Sequence, residues 1–182
     1  MGRSVSTSSS ISLVLIFLLS VDLFGAILRA NAVAQIIQVA CDSSIVREFC
    51  YNVMENDLDA PWAVSKAQLE LITIGMAERK YTNIARKMLT ITFSETNPEY
   101  YKVYRHCLHH YLLVRPHFQN LVATLLVNGD LDLASQNAML HVFVCMGDFT
   151  EFPNVPNPFA EDNSNMYYYF ELIRDIYYAP LS

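Results

Sequence analysis

The segment from Asn97 to Asn128 carries a long periodic pattern and constrains the fold more than any other stretch. Its apolar residues recur at steps of three, four and, once, seven, at Tyr101, Tyr104, Leu108, Tyr111, Phe118, Val122 and Leu125. This spacing places them on one face of a helix, which needs partner helices to cover it. Asn97-Pro98 suits the start of such a helix and Asn128-Gly129 suits a left-handed turn at its end. Cys107 lies beside the apolar face, where a disulfide could join it to a neighbouring helix.

Other segments share this helical spacing. They run from about Trp62 to Phe93, from Leu131 to about Met146, and onward from Ser164 or Asn165. Gly147 is a suitable end for the second, and three prolines predict that residues 148–163 form a loop. The turn-forming residues between Cys41 and Cys50 predict a small helical hairpin. We therefore predict an all-α fold, an up-down-up-down four-helix bundle preceded by a short helical hairpin and containing two disulfides.

Residues 1–34 have the composition of a secretory signal peptide. A serine-rich start leads into the apolar run Ile11 to Val21, and small residues favour cleavage after Ala32 or Ala34. The alternative is an uncleaved membrane anchor. However, Asp22 interrupts the apolar stretch, and a spanning helix needs about 20 predominantly apolar residues. We predict a secreted, extracellular protein.

The predicted mature domain, residues 35–182, has 10 basic and 17 acidic residues, so its formal charge is −7 compared with −6 for the whole chain. This balance argues against binding to nucleic acid, because phosphate contacts require clustered lysine and arginine. It suits a basic protein partner, since opposite charges speed the encounter.

All four cysteines, Cys41, Cys50, Cys107 and Cys145, lie in this domain. In an oxidising compartment they predict two disulfides, for which three pairings are possible. Proximity along the chain favours Cys41–Cys50, which leaves Cys107–Cys145. No Cys-x-x-Cys motif favours a zinc site or reactive thiols instead.

The histidines are the only residues that suggest a metal or catalytic site. His106 and His110 lie four residues apart on one predicted helix face, with His109 and His117 close by. A zinc site needs three or four converging ligands, and no carboxylate is near them in sequence. We therefore interpret them as residues at the edge of the bundle surface, whose titration near neutral pH would make a partner interface pH-dependent.

No catalytic motif is present. The sequence has no Gly-x-Ser-x-Gly elbow and no phosphate-binding glycine loop, and its paired acidic residues fall at helix starts or in loops, where capping explains them. We predict that the protein is not an enzyme and has neither a metal nor a cofactor. The tyrosines at 167–169 and 177–178 are either exposed for a protein contact or packed against the hairpin or the proline-rich loop.

The cysteine pattern resembles that of the plant invertase and pectin methylesterase inhibitor family. The matching residues are Cys41 and Cys50 with eight residues between them, Phe49, Cys107 followed at four by Tyr111, and Cys145 followed at four by Phe149. The resemblance implies a four-helix bundle after a helical hairpin, with disulfides joining the first cysteine to the second and the third to the fourth. It also implies a monomer without catalytic residues that blocks a cell-wall enzyme in a 1:1 complex.

Invertase inhibitors of this family tend to carry a Pro-Lys-Phe triplet, which this sequence lacks. The prediction is therefore an apoplastic inhibitor of pectin methylesterase that covers the substrate cleft of the enzyme. The alternatives are an invertase inhibitor and a non-inhibitory extracellular bundle with a structural or small-ligand role. In pectin methylesterase inhibitors the long helices make the contact. This points to the candidate contact residues Lys66, Glu70, Lys102, His106, His109 and His110.

Overall fold

The computed structural model describes residues 35–181, so the predicted signal peptide and Ser182 lie outside the described part. Six α-helices and one 3-10 turn, Ala60–Trp62, make up its regular structure, and these residues contain no strand. The helices are α1 (35–43), α2 (Arg47–Asn56), α3 (Lys66–Ser94), α4 (Pro98–Leu126), α5 (Leu131–Glu151) and α6 (Ala160–Tyr178).

The four long helices form the predicted bundle. Helix α3 packs against α4 and α6, and α5 packs against the same two helices from the other side. The short connections make consecutive helices antiparallel, as in an up-down-up-down bundle. The all-α fold with a preceding helical hairpin is therefore confirmed. None of the helices in residues 35–181 combines the length and apolar character needed to cross a bilayer.

Side-chain caps fix where the long helices begin. Ser65 accepts a hydrogen bond from the amide of Gln68 at the start of α3, and Asn97 accepts one from the amide of Glu99 at the start of α4. These contacts satisfy amides that have no partner inside the helix. At the end of α4, Asn128 has a φ of 51°, the left-handed conformation predicted for this turn.

Three predicted helix boundaries are wrong. Helix α3 begins at Lys66 rather than near Trp62, because the residues around Pro61 form the separate 3-10 turn. Helix α5 continues through Gly147 to Glu151, so much of the predicted loop is helical. Helix α6 begins at Ala160, four or five residues before the predicted start at Ser164 or Asn165.

Tertiary contacts explain the longer α5 and α6. Just beyond Gly147, Asp148 and Phe149 are both 8% exposed, so continuing the helix buries them. Phe149 packs against Tyr104 and Phe159, with ring centroids 6.1 Å apart in both pairs. Such burial outweighs the modest cost of a glycine inside a helix, about 1 kcal/mol relative to alanine.

The core has two parts. The larger lies inside the bundle around fully buried aromatic residues, including Phe118 stacked on Phe170 at 5.8 Å. The smaller lies where the α1–α2 hairpin packs against α3 and α6. There Asp175 of α6 accepts hydrogen bonds from the hydroxyl of Ser44 (2.6 Å) and the amide of Ile45 (3.0 Å), which fixes the hairpin turn.

Two disulfides reinforce these parts. Cys41–Cys50 joins α1 to α2, with 5.3 Å between the Cα atoms, and Cys107–Cys145 joins α4 to α5 at 4.3 Å. Within residues 35–181 no cysteine is free.

The hairpin also covers part of the tyrosine-rich segment. The Phe49 ring lies 5.0 Å from that of Tyr169 and 5.4 Å from that of Tyr168. Packing against the hairpin, one of the two alternatives for these tyrosines, therefore applies to both, although Tyr168 remains 38% exposed.

Candidate functional site: the groove between α4 and α5

A groove of about 520 Å³ lies where the first half of α4 runs beside the last turns of α5. It is lined by Tyr101, Lys102, Val103, Arg105, His106, His109, Asp148, Glu151 and Phe152. The α4 wall supplies the cationic groups, whereas α5 supplies the two carboxylates. We call this surface the α4–α5 groove.

A histidine–carboxylate pair connects the two walls. Nδ1 of His106 lies 2.9 Å from both carboxylate oxygens of Asp148. The Asp148 side chain is only 11% exposed, whereas the His106 side chain is 55% exposed. The carboxylate accepts the Nδ1–H hydrogen bond and fixes the orientation of the His106 ring. Nε2 is the ring nitrogen that does not contact Asp148.

A second contact between the helices joins two histidines. Nδ1 of His110 lies 3.3 Å from Nδ1 of His141, and the His117 ring lies 5.4 Å from that of His141. Partial burial lowers the pKa of all three imidazoles. Repulsion from neighbouring histidines lowers these pKa values further, so the neutral ring is favoured.

The Cys107–Cys145 bridge explains why these residues meet. Because α4 and α5 are antiparallel, the residues that follow Cys107 lie beside the residues that precede Cys145, and those that precede Cys107 lie beside those that follow Cys145. His110 follows Cys107 by three residues, and its partner His141 precedes Cys145 by four. His106 precedes Cys107 by one residue, and its partner Asp148 follows Cys145 by three. The disulfide therefore lies between two polar contacts that share its register.

The structure divides the predicted contact residues between the two ends of the bundle. Lys102, His106 and His109 line the α4–α5 groove, and the half-buried His110 lies next to it. Lys66 and Glu70 instead line a pocket of about 230 Å³ beside the end of α4 and the start of α5. Leu125, which borders that pocket, lies 23 positions after Lys102 along α4, and this separation corresponds to roughly 35 Å of helix.

Lys66 and Glu70 are engaged within the protein itself. Nζ of Lys66 donates hydrogen bonds to the carbonyl oxygens of Tyr177 and Ala179, which caps the end of α6. Glu70 is 5% exposed, and burial raises the pKa of its carboxyl group, partly offset by Lys66. The exposed members of the predicted contact set, Lys102, His106 and His109, therefore all lie in the α4–α5 groove.

Sequence reasoning missed His141 and Asp148. His141 lies 31 residues from His110 and Asp148 lies 42 residues from His106, so local spacing gave no reason to group them. The register of the predicted Cys107–Cys145 bridge was the one sequence signal that could have placed His141 beside His110 and Asp148 beside His106.

The groove has the chemistry of a binding surface. Its lining contains no serine, threonine or cysteine that the His106–Asp148 pair could activate as a nucleophile. Across residues 35–181, no group of three or more His, Cys, Asp or Glu side chains converges in a geometry suited to holding a metal ion. Its lining includes Tyr101, Arg105 and Phe152, residue types that are enriched at protein interfaces.

Comparison with known proteins supports the fold. No family model matches the chain, and no curated protein sequence matches it. Among solved structures, the chain is similar to a mutant form of a pectin methylesterase inhibitor from Arabidopsis, with a TM-score of 0.66 and 15% sequence identity. The match covers 78% of this chain and 94% of that chain. At this identity the similarity shows a shared helical fold.

Proposed function

We propose that the protein is a secreted inhibitor of a plant cell-wall enzyme, pectin methylesterase, and that it acts in the apoplast as a monomer in a 1:1 complex. The observation that carries this proposal is the fold shared with a solved pectin methylesterase inhibitor over nearly the whole of that chain. The two disulfides support it, because they are typical of proteins from oxidising compartments.

The proposed contact surface is the α4–α5 groove together with the adjoining outer face of α4. Lys102, Arg105 and His109 are exposed there, and Leu113 adds an apolar surface that is 39% exposed. Phe152, 40% exposed, borders the opposite wall. Aromatic and arginine side chains surrounded by polar groups are characteristic of protein interfaces.

Inhibition on this surface is steric and needs no covalent step. The groove lies on two helices that are joined by a disulfide, a histidine–carboxylate pair and a continuous apolar core. Such a surface loses little conformational freedom on binding, which favours a tight complex. An inhibitor of this kind covers the substrate cleft of the enzyme and excludes the polysaccharide.

The test is titration of the purified protein against a pectin methylesterase and, separately, an acid invertase, with initial rates as the measurement. We expect loss of esterase activity that saturates at equimolar protein, and a 1:1 complex in size-exclusion chromatography. Inhibition of invertase alone would reassign the target. Inhibition of neither enzyme at micromolar concentration would contradict the proposal and favour a non-inhibitory extracellular bundle.

A matched pair of charge reversals tests the surface. Arg105→Glu places a negative charge in the groove, whereas Arg86→Glu makes the same change on the exposed face of α3. We expect Arg105→Glu to weaken inhibition about tenfold or more and Arg86→Glu to leave it nearly unchanged, since a misplaced charge at an interface costs more than one outside it. Equal effects of the two substitutions would contradict this contact surface.

A further inference from the structure

All five histidines of the chain lie in one cluster on α4 and α5. The members are His106, His109, His110, His117 and His141. Neighbouring rings have centroids 4.8 to 5.6 Å apart, so the cluster is continuous. An inhibitor that acts by steric blockage does not require this arrangement.

The distance between Nδ1 of His110 and Nδ1 of His141 suits a hydrogen bond between two neutral rings, and it also suits two ligands of one metal ion. Imidazole nitrogens bind zinc at about 2.0–2.1 Å, and two such nitrogens on a tetrahedral ion are therefore about 3.3–3.4 Å apart. The two Nδ1 atoms are 3.3 Å apart. We propose that His110 and His141 form a two-histidine site for a divalent transition metal ion of the zinc, nickel or copper class, with water completing the coordination.

The surroundings of this pair favour a metal ion. Both rings are partly buried, and a neutral imidazole is the form that binds metal ions. Neutral imidazole is a preferred ligand for zinc, copper and nickel.

The ion would join the same two helices as the Cys107–Cys145 disulfide, about one turn away. His110 belongs to α4 and His141 to α5, so the two nitrogens approach each other only when the helices are packed. Binding to the folded state alone raises its stability by mass action. The metal would therefore act as a second, reversible cross-link between α4 and α5.

The test is isothermal titration of the purified protein, carrying no histidine tag, with Zn²⁺ and with Ni²⁺ in a non-chelating buffer near pH 7.5. We expect one ion per chain and a higher midpoint of thermal unfolding in its presence. His110→Gln and His141→Gln should each weaken binding about tenfold or more, because each removes one of the two ligands. His109→Gln, an exposed histidine of the same cluster, is the matched control and should change binding less than about twofold.

Two results would overturn the proposal. If His141→Gln binds as tightly as the unmodified protein while His106→Gln does not, the ion is held by the His106/His110 pair on α4 alone. If neither ion binds at concentrations up to the millimolar range, there is no site. Both measurements are made without a target enzyme, so their outcome is independent of the inhibition assay.

Discussion

Tyr111 links α4 to the start of α6 through a fully buried hydrogen bond. Its hydroxyl donates to Oδ1 of Asn163 at 2.8 Å, and the amide of Asn163 donates to Sγ of Cys145 at 3.3 Å. Burial raises the pKa of Tyr111, so the hydroxyl remains a neutral donor. This contact explains why a helix that seemed from its sequence to begin at Ser164 begins earlier, since Asn163 must be held in place.

Tyr111→Phe should destabilise the protein by about 1–3 kcal/mol, because it leaves a buried amide oxygen of Asn163 without a partner. The free energy of unfolding from urea denaturation measures this effect. Tyr178→Phe is the control, since Tyr178 is 65% exposed and its hydroxyl donates a hydrogen bond to Asp132. A loss no larger for Tyr111→Phe than for the control would contradict a stabilising role for the buried bond.

Gly147→Ala should stabilise the protein by about 0.5–1 kcal/mol, the difference between the two residues inside a helix. Gly147 is exposed within α5, its φ is not positive, and an added Cβ would meet no atom within 4 Å. Thermal unfolding measures the gain. Gly129→Ala is the opposing control and should destabilise, because its Cβ would come within 3.0 Å of the Thr124 side chain. No gain from Gly147→Ala would contradict the helical assignment at this position.

At the scale of helices, the sequence predicted the elements better than their ends. The apolar spacing in α4 and the capping residues Asn97 and Asp130 are local signals, and they identified the helices correctly. The extension of α5 beyond Gly147 depends on contacts of Asp148 and Phe149 with α4 and Phe159, and no local pattern encodes those. The candidate site was predicted in part for the same reason, since only its α4 residues share a helical spacing.

Removing the Cys107–Cys145 disulfide should cost more stability than removing Cys41–Cys50. The first closes a sequence separation of 38 residues and the second one of 9. The chain-entropy model assigns about 3.9 kcal/mol to the longer loop and about 2.6 kcal/mol to the shorter. Paired alanine substitutions at each bridge, compared by denaturant unfolding, measure the difference. An equal or reversed order would contradict loop closure as the dominant effect.

The contact between α5 and α6 should depend on pH through Asp132. This carboxylate accepts hydrogen bonds from Gln136 and Tyr178 and pairs with Arg174. The bond from Gln136 and the bond from Arg174 hold the pKa of Asp132 below its ordinary value. Its contribution to stability is therefore fully present above the unfolded-state pKa of about 3.9 and is lost as the pH falls through the lower folded-state pKa.

Asp132→Asn should consequently destabilise the protein at pH 6 and have a progressively smaller effect below about pH 4. The free energy of unfolding measured across this range tests the prediction. Glu55→Gln, the same carboxylate-to-amide change on an exposed residue of α2, should show no comparable trend. If Asp132→Asn lowers the free energy of unfolding by the same amount at every pH down to 2, the ionised carboxylate is not the cause of the effect.

At the scale of the whole molecule, the net charge conceals two unlike halves. Helices α3 and α4, which pack together, carry eight basic and three acidic residues, a formal +5. Helices α5 and α6, which also pack together, carry one basic and seven acidic residues, a formal −6. The acidic surplus that suits a basic partner therefore lies on the α5–α6 side, and the α4–α5 groove lies at the border between the halves.

This division separates positive from negative charge across the bundle, so net charge alone does not describe the behaviour of the protein. Although its sequence pI is about 5.2, we expect it to be retained near neutral pH by cation-exchange as well as anion-exchange resins. At low ionic strength the positive side of one molecule should attract the negative side of the next, so sedimentation should reveal reversible head-to-tail oligomers. These oligomers should dissociate as salt is added, because the Debye length falls to about 10 Å at 0.1 M and the attraction between molecules is screened.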